Sequence, residues 1–282
     1  MISVQKLVQA IDQLKPLPRV VSRLVKIADD PQASMREIAD IITHDPLITA
    51  DLLRMCNSAY FGMPRKIESV QEAITLLGLE KVVNLVLIKC CRANLGRAQQ
   101  GYGHQEGELW RHAVSTALIA RDLAEKLAAE ARPRVFTGAL LKDIGKVILD
   151  RFVAQAFGMI DNLVQTQGMS FKNAEKKVIG VDHAELGAIV AKKWLFSDKL
   201  VAIIQHHHLD CPAARDDLET NLVYLGDTVG MMLGLGGGSD GLAYHFYEDT
   251  LKRLQITSQD VQEIIMGFSE HQTKIDILLE MA

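Results

Sequence analysis

Several histidines and aspartates in the second half of the sequence have the chemistry to hold a divalent metal. Histidine nitrogens and carboxylate oxygens from separate helices can converge inside a helical bundle on one cation. Such a metal would polarise a phosphoryl oxygen and generate a hydroxide nucleophile near neutral pH. A histidine on a helix is also commonly a capping or surface residue, so spacing alone leaves both interpretations open. The settings are Trp110-Arg-His112, Leu140-Leu-Lys-Asp143-Ile-Gly145, Asp182-His183, His206-His207-His208 and Gly226-Asp227.

Helical patterns surround these residues and extend over almost the whole chain. Ser34-Met-Arg-Glu37 and Ser69-Val-Gln-Glu72 have the form of capping boxes, which begin helices. Asp45-Pro46 places a capping residue before a proline at the first helical position. Apolar residues recur at spacings of three and four, as they do over residues 20–28, and strand-like alternation between hairpin turns is missing. The sequence therefore predicts an all-α fold.

Two glycine-rich stretches divide the chain. Residues 96–107 (GRAQQGYGHQEG) lie between two strong helical patterns and are predicted to be a linker or exposed loop. Residues 234–241 (GLGGGSDG) form a second flexible stretch before a helical tail that starts at Ala243. We therefore predict an N-terminal helical subdomain over residues 1–100. A histidine-bearing helical subdomain with a C-terminal helical tail follows over residues 105–282.

Composition narrows the class of protein. A chain of 282 residues with 48% hydrophobic and 23% charged residues can bury a substantial core, which excludes fibrous and wholly disordered proteins. The net charge of −4 does not favour nucleic-acid binding. No apolar run approaches the ~18 residues of a membrane span, and the first helical pattern does not resemble a secretory signal. Four cysteines without a C-x-x-C pair indicate reduced thiols, so we expect a cytoplasmic protein.

Several co-linear motifs resemble those of the HDOD domain, a branch of the HD phosphohydrolase superfamily. The resemblance covers residues from about Leu14 to about Val229. In the first half it includes Ile42-Thr-His-Asp45-Pro46 and Asn57-Ser-Ala-Tyr-Phe-Gly62. In the second half it includes Trp110-Arg-His112, Val181-Asp-His-Ala-Glu-Leu-Gly187 and Ile203-Ile-Gln-His206-His207. It implies a multi-helix HDOD fold, in which an N-terminal helical subdomain packs on an HD-like helical bundle.

The resemblance also implies a set of metal ligands. About 100° separates neighbours on a helix, so the three consecutive histidines cannot all face one pocket. The first two match the family, and we expect His208 to be exposed. Position by position, the metal ligands of the superfamily fall on His112, Asp143, His183, His206, His207 and Asp227.

One position departs from the superfamily pattern, because Lys142 stands where the His of the His-Asp pair is expected. A protonated lysine has three donors and no lone pair, so it cannot coordinate a metal. Asp143 and Asp227 would favour its charged form. We therefore expect a tethered positive charge that competes with the metal. In a milder alternative, Lys142 turns to solvent and the remaining ligands hold a weak site.

These features predict a bacterial signal-transduction or regulatory protein that is a catalytically inactive or weak relative of metal-dependent phosphohydrolases. The alternative is a metal-dependent phosphohydrolase that acts on a nucleotide or cyclic dinucleotide. A Gly-Tyr-Pro motif is missing after the histidine run, which does not support the cyclic-dinucleotide phosphodiesterase branch. We expect no cofactor, with a divalent metal as the open alternative. We also expect signalling partners in trans and no membrane contact, while a nucleotide-type ligand and a homodimer stay open.

Overall fold

A computed structural model describes residues 4–28, 34–235, 238–239 and 249–281. These residues form α-helices joined by short connections and contain no β-strand, which confirms the all-α prediction. The first helices are α1 Val4–Asp12, α2 Arg19–Ala28, α3 Met35–Thr43, α4 Pro46–Cys56, α5 Val70–Leu77, α6 Leu79–Leu95, α7 Glu108–Leu127 and α8 Arg132–Leu141. The later helices are α9 Ile144–Gln167, α10 Phe171–Ile179, α11 His183–Lys193, α12 Asp198–His206, α13 Pro212–Arg215, α14 Leu218–Met232, α15 Asp249–Leu254 and α16 Ser258–Met281. None of the helices in the described ranges is long and apolar enough to cross a bilayer.

The predicted helix starts are made by the side chains that the sequence indicates. Ser34 and Ser69 accept hydrogen bonds from the backbone N–H groups of Glu37 and Glu72, each at 3.1 Å. Asp45 accepts from two backbone N–H groups of α4, and Pro46 is the first residue of that helix. These caps satisfy amide groups that have no partner within the helix.

Helix α6 lies between the two predicted subdomains. On one side it packs against α2, α4 and α5, and on the other against α7, α8 and α9. Its residues 82–88 are buried without interruption, and one continuous cluster of buried apolar side chains includes residues of both halves. The boundary near residue 100 stays a prediction, because the two segments share this core.

The first and last helices of the described chain add contacts between the two halves. Helix α1 packs on α9, where Arg151 Nη2 donates to the carbonyl oxygen of Lys6 at 3.5 Å. Helix α16 packs along α7 and reaches α4. There Arg54 Nη2 donates to the carbonyl oxygen of Met281 at 2.9 Å, and Arg92 Nη1 contacts that of Leu279 at 3.4 Å.

The stretch over residues 96–107 is not the exposed linker that its composition predicts. It contains a turn of 3-10 helix over Gln100–Tyr102, and Gln99, Tyr102 and His104 are all buried. Gly101 explains why the stretch is close to α9, since a Cβ there would lie 2.2 Å from the carbonyl oxygen of Asp150. Most of the second glycine-rich stretch and the predicted start of the tail at Ala243 lie outside the described residues.

Candidate functional site

The close crossing of α7 and α14 brings His112 and Asp227 together. A Cβ at Gly226 would lie 2.8 Å from the Cβ of Ala120, so only glycine allows this approach. His112 Nε2 and Asp227 Oδ1 are 2.8 Å apart, and both residues are buried. The hydrogen bond between them joins one ligand candidate from each helix.

A second close approach positions Asp143. This residue lies in the turn between α8 and α9, directly before the first residue of α9. Gly145 in the first turn of α9 lies against the first turn of α11, where a Cβ would be 1.9 Å from the carbonyl oxygen of His183. The absent side chain therefore allows Asp143 to approach His183, with 3.8 Å between Oδ1 and Nε2.

Lys142 lies at the centre of the first set of candidate ligands, which we call the carboxylate group (His112, Asp143 and Asp227). Its side chain is 2% exposed, and its Nζ contacts a carboxylate oxygen of Asp143. The same nitrogen lies 2.7 Å from Asp227 Oδ1 and 3.3 Å from His112 Nε2. The ammonium therefore contacts all three members of the group, as predicted for a tethered cation, and does not turn to solvent.

A second buried lysine strengthens this arrangement. Lys146 Nζ lies 2.9 Å from Asp143 Oδ1, on the carboxylate oxygen that Lys142 does not contact. Burial raises the pKa of Asp143, but the two ammonium groups outweigh burial and hold that pKa well below its usual range. The pKa of Asp227 is also well below its usual range, because Lys142 and His112 outweigh the effect of burial. Both carboxyl groups are therefore ionised.

The second set of candidate ligands is a three-histidine group formed by His183, His207 and His208. In His183 and His207, the ring nitrogen Nδ1 contacts a partner outside the group. His183 Nδ1 lies 2.8 Å from Glu175 Oε2, and His207 Nδ1 lies 2.8 Å from the carbonyl oxygen of Ile204. Such contacts orient the other nitrogen, Nε2, as in many metal-binding histidines.

Glu175 is a central member of the site that the sequence motifs do not indicate. Its carboxylate is fully buried and accepts hydrogen bonds from Tyr102 Oη at 2.6 Å and from the backbone N–H of His183 at 3.0 Å. Burial lowers the pKa of His183, but Glu175 outweighs burial, so that pKa lies above its ordinary value. A protonated His183 can donate from Nδ1 to Glu175 and from Nε2 to His208, which lies 2.9 Å away.

The other two histidines of the group are neutral. Burial and the nearby ammonium of Lys142 lower the pKa of His207 to about 3. Burial also lowers the pKa of His208 well below its ordinary value. Since Nδ1–H of His207 donates to a backbone carbonyl, its Nε2 carries a lone pair, and this buried atom has no hydrogen-bond partner. It lies 3.9 Å from Asp143 Oδ1.

The structure brings five of the six sequence-derived candidates together and places a different histidine beside them. His206 is the last residue of α12 and belongs to neither group among the described residues. The prediction that His208 is exposed is wrong, because its ring is half-buried and contacts His183. The chain leaves the helix after His206, so the 100° spacing does not apply to the two residues that follow. The rings of His207 and His208 are therefore only 4.1 Å apart.

When His183 is protonated, opposite charges balance in the buried network that joins the two groups. Three carboxylates face three cationic side chains, and the six residues are at most 4% exposed. The carboxylates are those of Asp143, Glu175 and Asp227, and the cations are Lys142, Lys146 and protonated His183. A divalent metal would add two charges to this network and would need the oxygens that Lys142 contacts. The carboxylate group therefore does not fit a metal in this arrangement, whereas the three-histidine group offers one free lone pair and two further imidazoles.

Comparison with known proteins gives the class of the chain. The HDOD domain family matches residues 14–209, and the chain belongs to this family. An uncharacterized protein of Treponema pallidum (strain Nichols) is 26% identical over 201 residues, which are 70% of this chain and 38% of that protein. This chain thus spans well under half the length of that relative.

Two solved structures share the fold. A protein of Marinobacter aquaeolei VT8, named "Putative signal transduction protein", has a TM-score of 0.75 at 19% identity and covers 98% of this chain and 65% of its own. A protein of Shewanella amazonensis SB2B, named "Putative phosphohydrolase", has a TM-score of 0.71 at 19% identity and covers 98% and 97%. At these identities the similarity establishes the helical fold of the family.

Proposed function

We propose that this chain is a regulatory protein of bacterial signal transduction, and that it is an inactive or weakly active relative of metal-dependent phosphohydrolases. The observation that carries the proposal is the Lys142 ammonium, which contacts all three members of the carboxylate group. A hydrolase of the superfamily would need these side chains to hold the metal that activates water. In this chain they hold an internal cation instead.

Two further considerations support a regulatory role. The balanced charges of the buried network remove the electrostatic reason to take up a dication. The fold is also shared with a protein whose name assigns it to signal transduction. We propose that the protein acts in the cytoplasm through signalling partners in trans.

Metal analysis of protein purified without a histidine tag or chelator tests the proposal. We expect the wild type to contain far less than about one transition metal per chain and Lys142→His to approach that value, because imidazole supplies a lone pair where the ammonium was. Lys126→His is the matched control, since Lys126 is an exposed residue of α7 that pairs with Glu263. It should stay as empty as the wild type.

A second candidate function is metal-dependent hydrolysis of a nucleotide or cyclic dinucleotide, and the three-histidine group is the observation that favours it. His183, His207 and His208 would hold the metal, which would supply a Lewis acid and a bound water of lowered pKa. A panel of nucleotides and cyclic dinucleotides with added Mn²⁺ tests this function. Hydrolysis by metal-containing wild type that His207→Gln abolishes would overturn the regulatory proposal.

A further inference from the structure

A groove on the surface lies between the last turns of α6, the stretch that follows it and the first turn of α7. Its volume is about 430 Å³, which falls within the roughly 300–1,000 Å³ of small-molecule sites. It is separate from the buried network, because Trp110 in the groove and His112 in the carboxylate group are about 200° apart around α7. The residues that matter for its chemistry are Lys89, Arg92, Arg97, Glu106, Gly107 and Trp110.

Positive charge dominates this groove. Three cationic side chains line it against the single carboxylate of Glu106, in a chain whose net charge is −4. Lys89 is partly neutralised by Asp51 at 3.2 Å. Arg92 and Arg97 are exposed, and Arg92 uses one nitrogen for a 3.4 Å contact with a backbone carbonyl. Guanidinium groups present several donors in a fork that matches phosphate oxygens.

A comparison within the molecule shows that this charge is not a general property of its grooves. A second groove, of about 350 Å³, is lined by Arg23 and Arg36 together with Glu37 and Asp40. The two charges of each sign cancel there. That groove therefore provides a matched reference for the α6–α7 groove.

The first turn of α7 adds donors on the opposite wall. Gly107 precedes this 20-residue helix with a φ of 84°, and no side chain caps the helix, although the N–H of Glu108 donates to the carbonyl oxygen of Gln105 at 3.1 Å. A Cβ at Gly107 would meet nothing within 4 Å, so the space beside the helix start is open. The start of a helix with uncapped amides favours anions.

Trp110 adds a second observation, because this residue of the groove wall carries a buried donor without a hydrogen-bond partner. The residue is 3% exposed and lines the groove, and its indole Nε1 has no hydrogen-bond partner. A buried donor without an acceptor is unfavourable by about 1–3 kcal/mol. A small adjustment of the groove around an anionic ligand would give this donor an acceptor.

We propose that the α6–α7 groove binds a phosphate-bearing small molecule of about mononucleotide size. The phosphate contacts Arg92 and Arg97 and lies near the start of α7. The remaining part of the ligand fills the groove beside Trp110. This site is distinct from the degenerate metal site and stands whether or not that site is active.

Nuclear magnetic resonance of protein labelled with ¹⁵N-tryptophan tests the proposal. The chain has two tryptophans, so two indole signals are expected, and Trp194→Phe assigns them. Titration with GMP should shift the Trp110 indole signal saturably and leave that of Trp194 in place. Guanosine should produce no shift, and inorganic phosphate should displace GMP only at higher concentration.

Variants connect the shift to the groove. Arg92→Gln and Arg97→Gln should each weaken GMP binding by about tenfold, because each loses a charge-assisted contact with phosphate. Arg36→Gln, in the charge-balanced reference groove, should leave GMP binding within about twofold of wild type. Absence of a saturable shift, equal binding of guanosine, or an equal loss in Arg36→Gln would each overturn the proposal. If inorganic phosphate bound as tightly as GMP, the assigned ligand size would be wrong.

Discussion

The carboxylate group and the three-histidine group approach each other at Asp143 and differ in what surrounds their ligand atoms. In the first, a lysine ammonium contacts every member. In the second, a carboxylate and a backbone carbonyl orient the rings of His183 and His207, and one lone pair has no partner. Lys142 therefore makes the first group an internal ion network, whereas the second has the geometry of a ligand set. The two groups should respond differently to mutation, pH and metal.

The largest expected effect comes from removing the ammonium. Lys142→Met leaves Asp143 and Asp227 buried with one cation fewer, and removal of one partner from a buried ion pair typically costs about 3–5 kcal/mol. We expect a loss of this size in the free energy of unfolding, measured by urea denaturation. Lys126→Met is the control, because its exposed pair with Glu263 contributes below ~1 kcal/mol. Equal, small losses in both variants would show that Lys142 does not stabilise the site.

The next largest effect tests the close approach of α9 to α11 at Gly145, which brings Asp143 near His183. In Gly145→Ala the new Cβ would meet the carbonyl oxygen of His183 at 1.9 Å and the backbone nitrogen of Gly187 at 2.9 Å. Because both contacts are backbone atoms, we expect a loss of about 1–3 kcal/mol or more. Gly158→Ala in the same helix α9 meets nothing within 4 Å and should be neutral or stabilising by up to ~1 kcal/mol. Thermal unfolding of both variants measures the difference.

The pH dependence of stability separates two members of the three-histidine group. The pKa of His207 falls from about 6.5 unfolded to about 3 folded, so the unfolded chain binds more protons between these values. Stability should therefore fall as the pH drops below about 6.5, by on the order of 1 kcal/mol per pH unit. The pKa of His183 is raised, so its contribution is complete below about 6.5 and is lost as the pH rises through the folded value.

Urea denaturation between about pH 5 and pH 8 tests these signs, since the carboxyl groups of the network titrate at lower pH. His207→Gln should reduce the slope on the acid side of the profile relative to wild type, and the part that remains is due to His208, whose pKa is also lowered. A profile that keeps the same slope in this variant would contradict the assignment of His207 as a buried neutral imidazole.

The smallest expected effect distinguishes neighbouring histidines. His208→Gln loses the 2.9 Å contact with His183 and should lower the free energy of unfolding by about 1 kcal/mol. His206→Gln, outside both groups, should change it by no more than ~0.5 kcal/mol. Chemical denaturation of the two variants under identical conditions makes the comparison. A larger loss in His206→Gln than in His208→Gln would support His206 as the member of the site that the family pattern predicts.

Local signals in the sequence are enough for the helices and for most of the site. The caps at Ser34, Asp45 and Ser69 form as predicted, because a cap depends on residues two or three positions apart. Co-linear motifs indicate His112, Asp143 and Asp227, which lie together in the structure, and Lys142 already indicates a cation beside them.

The missed residues depend on contacts that a local pattern cannot contain. Glu175 lies in an Ala-Glu-Lys-Lys segment typical of an exposed helix, and its partner Tyr102 is 73 positions away. Tyr102 in turn holds the polar stretch after α6 against the core. The inward position of His208 follows from a backbone detail, since Leu209 ends the turn with a φ of 54° and its N–H donates to the carbonyl oxygen of His206 at 2.8 Å.

The contacts of α1 and α16 across the two halves, together with the shared core, determine what happens when the peptide between the halves is cut. A protease that cut between Arg97 and Ala98, which are both exposed, would break the covalent link without removing either helix from its partner half. The two fragments would then be expected to migrate as one particle in native conditions and to separate only in denaturant. The halves of this protein are thus joined by the packing of their shared core and of these two helices, and not by the connecting peptide alone.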